Sequence, residues 1–275
     1  MASTDHQLED LRREVDRLDA AMVELLAERM AVVAGIARIK RAGGSAGPAI
    51  RPGREAVILR RLVERAAGRF PSLALARMWR ELLAATTRAQ APLAIVVHAP
   101  ADRPCLWDLA RDHFGSATPA SRVETSAEAL RLAAESPGRL AVLPGPGPGR
   151  DWWTDLAEGA WPALRVVARL PFVRVEAEPV DAMVVAAMEP EASGDDLGLV
   201  AVPADRGLEP QRLVANLAGL DARWLATAAG ATGEPFHLLE LAGLPSANET
   251  RVATAVGPLR GTWLGGYARP LVVAA

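Results

Sequence analysis

Residues 8–40 read LEDLRREVDRLDAAMVELLAERMAVVAGIARIK, and the spacing of their apolar side chains decides how the N-terminal third of the chain folds. Leu8, Leu11, Val15, Leu18, Met22, Leu25, Val32, Ile36 and Ile39 recur at alternating steps of three and four, and one position of the series is filled by a cation, Arg29. This is the heptad seam of a left-handed coiled coil and predicts one helix over 8–41. At ~1.5 Å per residue the helix is about 50 Å long. The first 91 residues alone cannot cover that length. A dimer in which each long helix packs on its partner covers it.

An unpaired guanidinium in an apolar seam costs several kcal/mol, so Arg29 needs a partner. An acid on a neighbouring helix would serve, and so would an anionic ligand in a cavity. The seam leaves both open. Lys40 follows Arg29 by 11 residues, within roughly 20° of the same helix face and about 16 Å along the axis. It is the only lysine among 31 basic residues, a count that a GC-rich coding bias toward arginine also explains. Arg12 precedes Arg29 by 17 residues and lies about 100° off that face. It reaches such a pocket only from the partner of an antiparallel dimer.

A Gly- and Pro-rich loop, GGSAGPAIRPG (43–53), separates this helix from the next. Pro52 suits the first turn of a second helix over about 52–68. Glu55 begins a stripe continued by Ile58, Leu59 and Leu62, so it faces inward, whether to meet a ligand or to complement the helix N-terminus. Arg54 stands beside it. A third helix over about 72–91, with Ser72 as N-cap, presents Leu75, Trp79 and Leu82. Thr86 and Gln90 extend that stripe, either toward a buried partner or as a frayed end.

Beyond residue 91 the pattern alternates between strand and helix, which predicts an α/β region. LAIVVHAP, RLAVLPG, LRVVARLPF and DAMVVAAM read as strands. LWDLARDHFG and a segment near 126–135 read as helices, and EPEASGDD (189–196) reads as a linker. From about 197 the order is βαββαβ, the ferredoxin-like plan, with its second helix in NETRVATAVGPL (248–259). LPGPGPGRDWW (143–153) lacks the lysine of a phosphate loop and reads as a rigid turn over Trp152 and Trp153.

Composition narrows the function classes. Residues 1–91 carry net charge +5 and the remainder −7, which favours an anionic partner for the N-terminal part. No basic run is interleaved with aromatics, so nucleic acid is not expected. No apolar run reaches membrane-spanning length and the N-terminus lacks a signal-peptide core, so a cytoplasmic location is the default expectation. Cys105 is the sole cysteine, expected as an inert buried or loop thiol. His6, His98, His113 and His237 are scattered and suggest no metal site. Each is expected at the surface or hydrogen-bonded in the core.

LRREVDRLDAAMVELLAERMAVVAGIARIK, RPGREAVILRRL and MWRELLAATTRAQ resemble the three helices of AroQ-type chorismate mutases, a likeness that covers residues 8–91. The resemblance implies an all-α, three-helix domain forming an intertwined dimer, and an isomerase that converts chorismate to prephenate without cofactor or metal. It implies that Arg12, from the partner, and Arg29 grip the substrate carboxylates, with Arg54 adding to the cationic wall. Lys40 and Gln90 would bond the ether oxygen, Glu55 the ring hydroxyl, and Thr86 would line the pocket near a carboxylate. The family often carries an acid three residues before its Arg-Glu pair, where this chain has Arg51.

Residues 92–275 are similar to a shortened prephenate dehydratase (92–194) followed by an ACT-like domain (195–275). The family's catalytic Thr-Arg-Phe is absent near PVDAMVV, and its phenylalanine-binding Glu-Ser-Arg-Pro is absent near WLATAAGATG. No dehydratase activity is therefore expected, and the C-terminal region is expected either to bind a small-molecule effector or to serve the fold. Two other functions fit the same helices: an isochorismate pyruvate lyase, and a non-catalytic regulatory subunit that binds chorismate.

Overall fold

The structure is a computed structural model. It describes residues 2–43, 50–100, 105–176, 180–204, 209–244, 250, 252–253 and 261–274. The chain divides into two compact units, Met1–Gly47 and Pro48–Ala275.

The first unit is one helix, α1 (Ala2–Ala42). It begins six residues earlier than the seam alone predicts, because polar residues before Leu8 extend it at no packing cost. Arg12, Arg13 and Arg17 each pair with an acid three residues earlier, exposed contacts that add little. All nine apolar members of the seam are exposed, between 46% and 72%.

In the second unit, α2 (Pro52–Ala66) and α3 (Ser72–Gln90) form a helical hairpin. Pro71, not Ser72, is the N-cap of α3, so Ser72 is its first helical residue. The hairpin buries Ala56, Leu59 and Ala76 against Phe172, Val173 and Ala268. Leu59 is fully buried, and such a side chain contributes about 2 kcal/mol.

The strands are β1 (Ala94–His98), β2 (Ala120–Val123), β3 (Arg139–Pro144), β4 (Arg165–Leu170), β5 (Val173–Arg174), β6 (Ala182–Ala186), β7 (Asp196–Pro203), β8 (Arg223–Ala229), β9 (Pro235–Ala242), β10 (Thr262–Ala268) and β11 (Leu271–Val272). Nine of them form one sheet in the order β2-β1-β3-β6-β4-β10-β7-β9-β8, and β11 pairs with β5 apart from it. The short strands β2, β5 and β11 lie outside the strands read from the sequence. In β1 the burial of Ile95, Val96 and Val97 explains the unbroken apolar run, since both faces of the strand are covered. Helix α4 (Cys105–Phe114) covers one face through Leu106, Ala110 and Phe114. Helix α5 (Ser126–Ala134) covers the other through Ala129, Leu130 and Ala133.

A short helix, α6 (Trp153–Ala157), follows the Gly-Pro turn. Trp152 Nε1 donates to the Pro144 carbonyl at 2.9 Å and Trp153 is buried, as expected of a rigid turn packed over tryptophans. Helix α7 (Pro210–Asn216) seats Leu213 against Val200, Val202 and Leu239. The helix expected over 248–259 falls largely outside the described residues.

The last long strand, β10, lies between β4 and β7, so one sheet runs through both halves of the α/β region. Its contact with β4 depends on a glycine: Gly265 has φ +122°, and a Cβ there would lie 2.3 Å from the Val166 carbonyl oxygen. Its other neighbour, β7, pairs antiparallel with it, and the remaining pairs β7·β9 and β8·β9 are antiparallel as well.

Candidate functional site

The residues put forward from the sequence divide between the two units. On α1, Arg12 is exposed and reaches Glu9 Oε1 at 3.4 Å. Arg29 is half-buried; its Nη1 has no hydrogen-bond partner among the described residues, and desolvation lowers its pKa. The seam calls for a partner to this cation, an acid or an anionic ligand, and among the described residues Nη1 meets neither. The backbone of Lys40 is helical, and its side chain lies outside the described residues.

In the second unit, Arg54 is exposed in the first turn of α2, and its backbone N–H donates to Glu191 Oε2 at 3.1 Å. Glu55 faces inward, as its stripe requires, but its carboxylate accepts from Arg80 Nη1 at 2.7 Å, with side-chain exposures of 12% and 8%. Burial pushes the Glu55 pKa up and the Arg80 pKa down, so desolvation outweighs the attraction of the pair. Thr86 is buried and its Oγ1 donates to the Leu83 carbonyl at 2.8 Å. Gln90 Nε2 donates to the Thr86 carbonyl at 3.0 Å. Thr86 and Gln90 are thus joined, whereas Glu55 is held by Arg80, ten residues or about 15 Å along α3 from Gln90.

Arg80 was not singled out from the sequence, although the signal is there. Ala76, Leu83, Ala84 and Thr87 form a second buried face of α3, and Arg80 interrupts it as Arg29 interrupts the seam of α1. Arg80 also lies 5.7 Å from the ring centre of Phe172, and Arg60 lies 5.5 Å from it. A cavity of about 130 Å³ opens beside Arg80, lined by Arg77, Asp112, His113, Pro171 and Phe172.

His113 departs from what was expected of the histidines. It is half-buried on the wall of that cavity, with no side-chain hydrogen bond found among the described residues, and burial and the Arg80 charge hold its pKa well below 6.5. His98 bonds Ser126 and His237 bonds Thr227 through their Nδ1 atoms. Cys105 is exposed at the start of α4, because the buried face of that helix begins one residue later at Leu106. No group of three or more His, Cys, Asp or Glu side chains that could hold a metal occurs among the described residues. No helix is long and apolar enough to cross a membrane among them either.

A second charged cluster lies within the sheet. Arg169 donates to Asp181 at 2.6 Å and to Glu240 at 3.1 Å, and Tyr267 donates its hydroxyl proton to Glu240. Against the desolvation of its burial, Tyr267, Asp181 and Glu240 together push the Arg169 pKa up.

Residues 11–91 match the family model of chorismate mutase type II. The match takes in all seven of the residues named above, from Arg12 to Gln90. A bifunctional chorismate mutase/prephenate dehydratase of Pseudomonas aeruginosa is 29% identical over 147 residues, 52% of this chain and 40% of that protein. The matched stretch therefore spans about two fifths of the relative's length. Solved prephenate dehydratases are also similar to the chain. That of Streptococcus mutans is 16% identical, covering 66% of this chain and 100% of its own, with a TM-score of 0.47. That of Staphylococcus aureus subsp. aureus Mu50 is 8% identical, covering 64% and 99%, with a TM-score of 0.48.

Proposed function

We propose that the chain is a chorismate mutase, with residues 1–91 as its catalytic domain. The observation that carries this reading is the family match over 11–91, the stretch that holds Arg12, Arg29, Lys40, Arg54, Glu55, Thr86 and Gln90. Chorismate becomes prephenate in one intramolecular step: the C–O bond to the enolpyruvyl group breaks as a C–C bond to the ring forms. No proton, electron or second reactant is needed. The protein has to hold the reactive conformer and stabilise negative charge growing on the ether oxygen.

In this reading Arg29 and Arg54, with Arg12 from a second copy, bind the two carboxylates. Lys40 and Gln90 donate to the ether oxygen, Glu55 meets the ring hydroxyl, and Thr86 lines the wall near a carboxylate. The active unit is a homodimer, supported by the exposed apolar seam of α1. An apolar groove of about 290 Å³ between α2 and α3, lined by Leu62, Ala66, Leu75 and Trp79 with Arg65 and Arg69 at its rim, is of the same character as that seam.

The α/β region has no dehydratase activity in this account. Where the dehydratase triad would fall, β6 is buried at all five positions and Asp181 is taken up by Arg169. We assign 92–194 to a shortened dehydratase-like domain and 195–275 to an ACT-like domain. The β10-β7-β9-β8 order, antiparallel throughout, supports a ferredoxin-like plan for the latter. An effector, if one binds, is a small molecule held by this region.

Product analysis tests the proposal. Incubated separately with chorismate and isochorismate, the protein is expected to yield prephenate from the first and no salicylate or pyruvate from the second. Salicylate with pyruvate would favour the lyase, and tight chorismate binding without turnover would favour a regulatory subunit. Phenylpyruvate from prephenate would overturn the loss of dehydratase activity.

A further inference from the structure

The first turn of α2 carries Arg54 and Glu55, yet its own sequence cannot complete it. The opening turn of a helix leaves backbone N–H groups without partners, and an N-cap side-chain oxygen usually accepts one of them. Here the N-cap is Arg51, which has no such oxygen and makes no capping bond.

The missing acceptor comes from the segment between β6 and β7. Glu191 Oε2 takes the Arg54 N–H at 3.1 Å, and its Oε1 takes Arg51 Nε at 3.0 Å together with Nη2. A carboxylate at this place also meets the positive end of the helix dipole. The approach requires Gly53: a Cβ there would lie 2.3 Å from the Glu191 carbonyl oxygen.

The same segment is tied to α2 again further along. Arg60 donates to Ser193 Oγ at 2.9 Å, to the Asp195 carbonyl at 2.8 Å and to the Arg269 carbonyl at 3.0 Å. Ser193 is fixed in turn by the Asp196 carboxylate at the start of β7, 2.9 Å from its N–H. The stretch read from the sequence as a linker is thus a strap, fastened to α2 on one side and to the sheet on the other.

We propose that Glu191 is a positioning residue of the mutase pocket. By capping α2 it fixes the turn that presents Arg54 to a substrate carboxylate and Glu55 to the ring hydroxyl. This makes the α/β region a structural part of the site, not an appendage. The inference rests on the mutase reading above. Two clamps hold the turn, Glu191 on the Arg51 and Arg54 side and Arg80 on the Glu55 side.

Full-length Glu191→Ala and Glu191→Gln test this, compared with wild type by steady-state kinetics on chorismate and by amide hydrogen exchange over 52–57. In Glu191→Ala, KM is expected to rise about tenfold while kcat changes less than about twofold, because Arg54 and Glu55 bind ground and transition states alike. Glu191→Gln keeps an oxygen for the Arg54 N–H and is expected to recover most of the loss. Exchange over 52–57 is expected to quicken at least about tenfold in Glu191→Ala.

If wild type is active and Glu191→Ala leaves KM unchanged, whether kcat holds or falls with the folded fraction, the positioning role is overturned and the mutase reading stands. If wild type leaves chorismate untouched, the mutase reading fails, and the positioning role fails with it. Exchange then decides the cap alone, and equal rates over 52–57 in the two proteins would overturn that too.

Discussion

Arg80 Nη1 donates to Glu55 Oε2 at 2.7 Å, and the two side chains are buried together between α2 and α3. Removing one partner strands the other charge. Arg80→Met is therefore expected to cost about 3–5 kcal/mol in urea unfolding, whereas Glu55→Leu with Arg80→Met is expected to return within roughly 1 kcal/mol of wild type. A double variant as unstable as the single one would show that the site does not tolerate apolar packing and that the pair is not the source of the loss.

His113 makes stability depend on pH in a definite direction. Its folded pKa lies well below 6.5, so between that value and 6.5 the unfolded chain binds more protons than the folded one. Stability is fully present above pH 6.5 and declines as pH falls, with a slope of up to ~1.4 kcal/mol per unit from this group. His113→Phe is expected to flatten that part of the curve, measured as urea midpoints across the range. An unchanged slope would mean that His113 stays accessible to protons in the folded state.

Gln90 donates in either protonation regime, so the mutase rate is expected to be flat across neutral pH. In the structure its amide bonds the Thr86 carbonyl, so it must turn to reach a substrate. Gln90→Glu should tie the rate to a protonated carboxyl. Activity would fall about tenfold per unit above that group's titration and recover in acid. A flat profile for the variant would remove Gln90 from the ether oxygen.

Donation of Arg12 across the dimer can be read by mixing. Arg12→Ala and Arg29→Ala are each expected to be inactive. Unfolded together and refolded, they form heterodimers with one intact site, which restores about a quarter of wild-type activity. No recovery in a mixture that sedimentation shows to be dimeric would place Arg12 and Arg29 in the same chain's pocket.

The periodic parts of the chain were legible in the sequence, and the long-range ones were not. Steps of three and four revealed α1 and the anomaly at Arg29, because helix geometry is local. The same reasoning reaches Arg80 only when a second face of α3 is considered, since Trp79 and its stripe are the louder signal. Strand β2, with Ser121 and Arg122 exposed, has no apolar run to mark it and exists through pairing with β1. The insertion of β10 between β4 and β7, and the capping of α2 by Glu191 from 137 residues away, depend on contacts that no local pattern encodes.

The central claim is tested most directly by following chorismate loss and prephenate formation with wild type, Arg29→Ala and Lys40→Ala, each first checked for helical content. Wild type is expected to convert chorismate to prephenate, and each variant to lose at least about a hundredfold in kcat/KM, the scale of one charge-stabilising donor. Equal rates in the three proteins, or no prephenate from wild type, would contradict it.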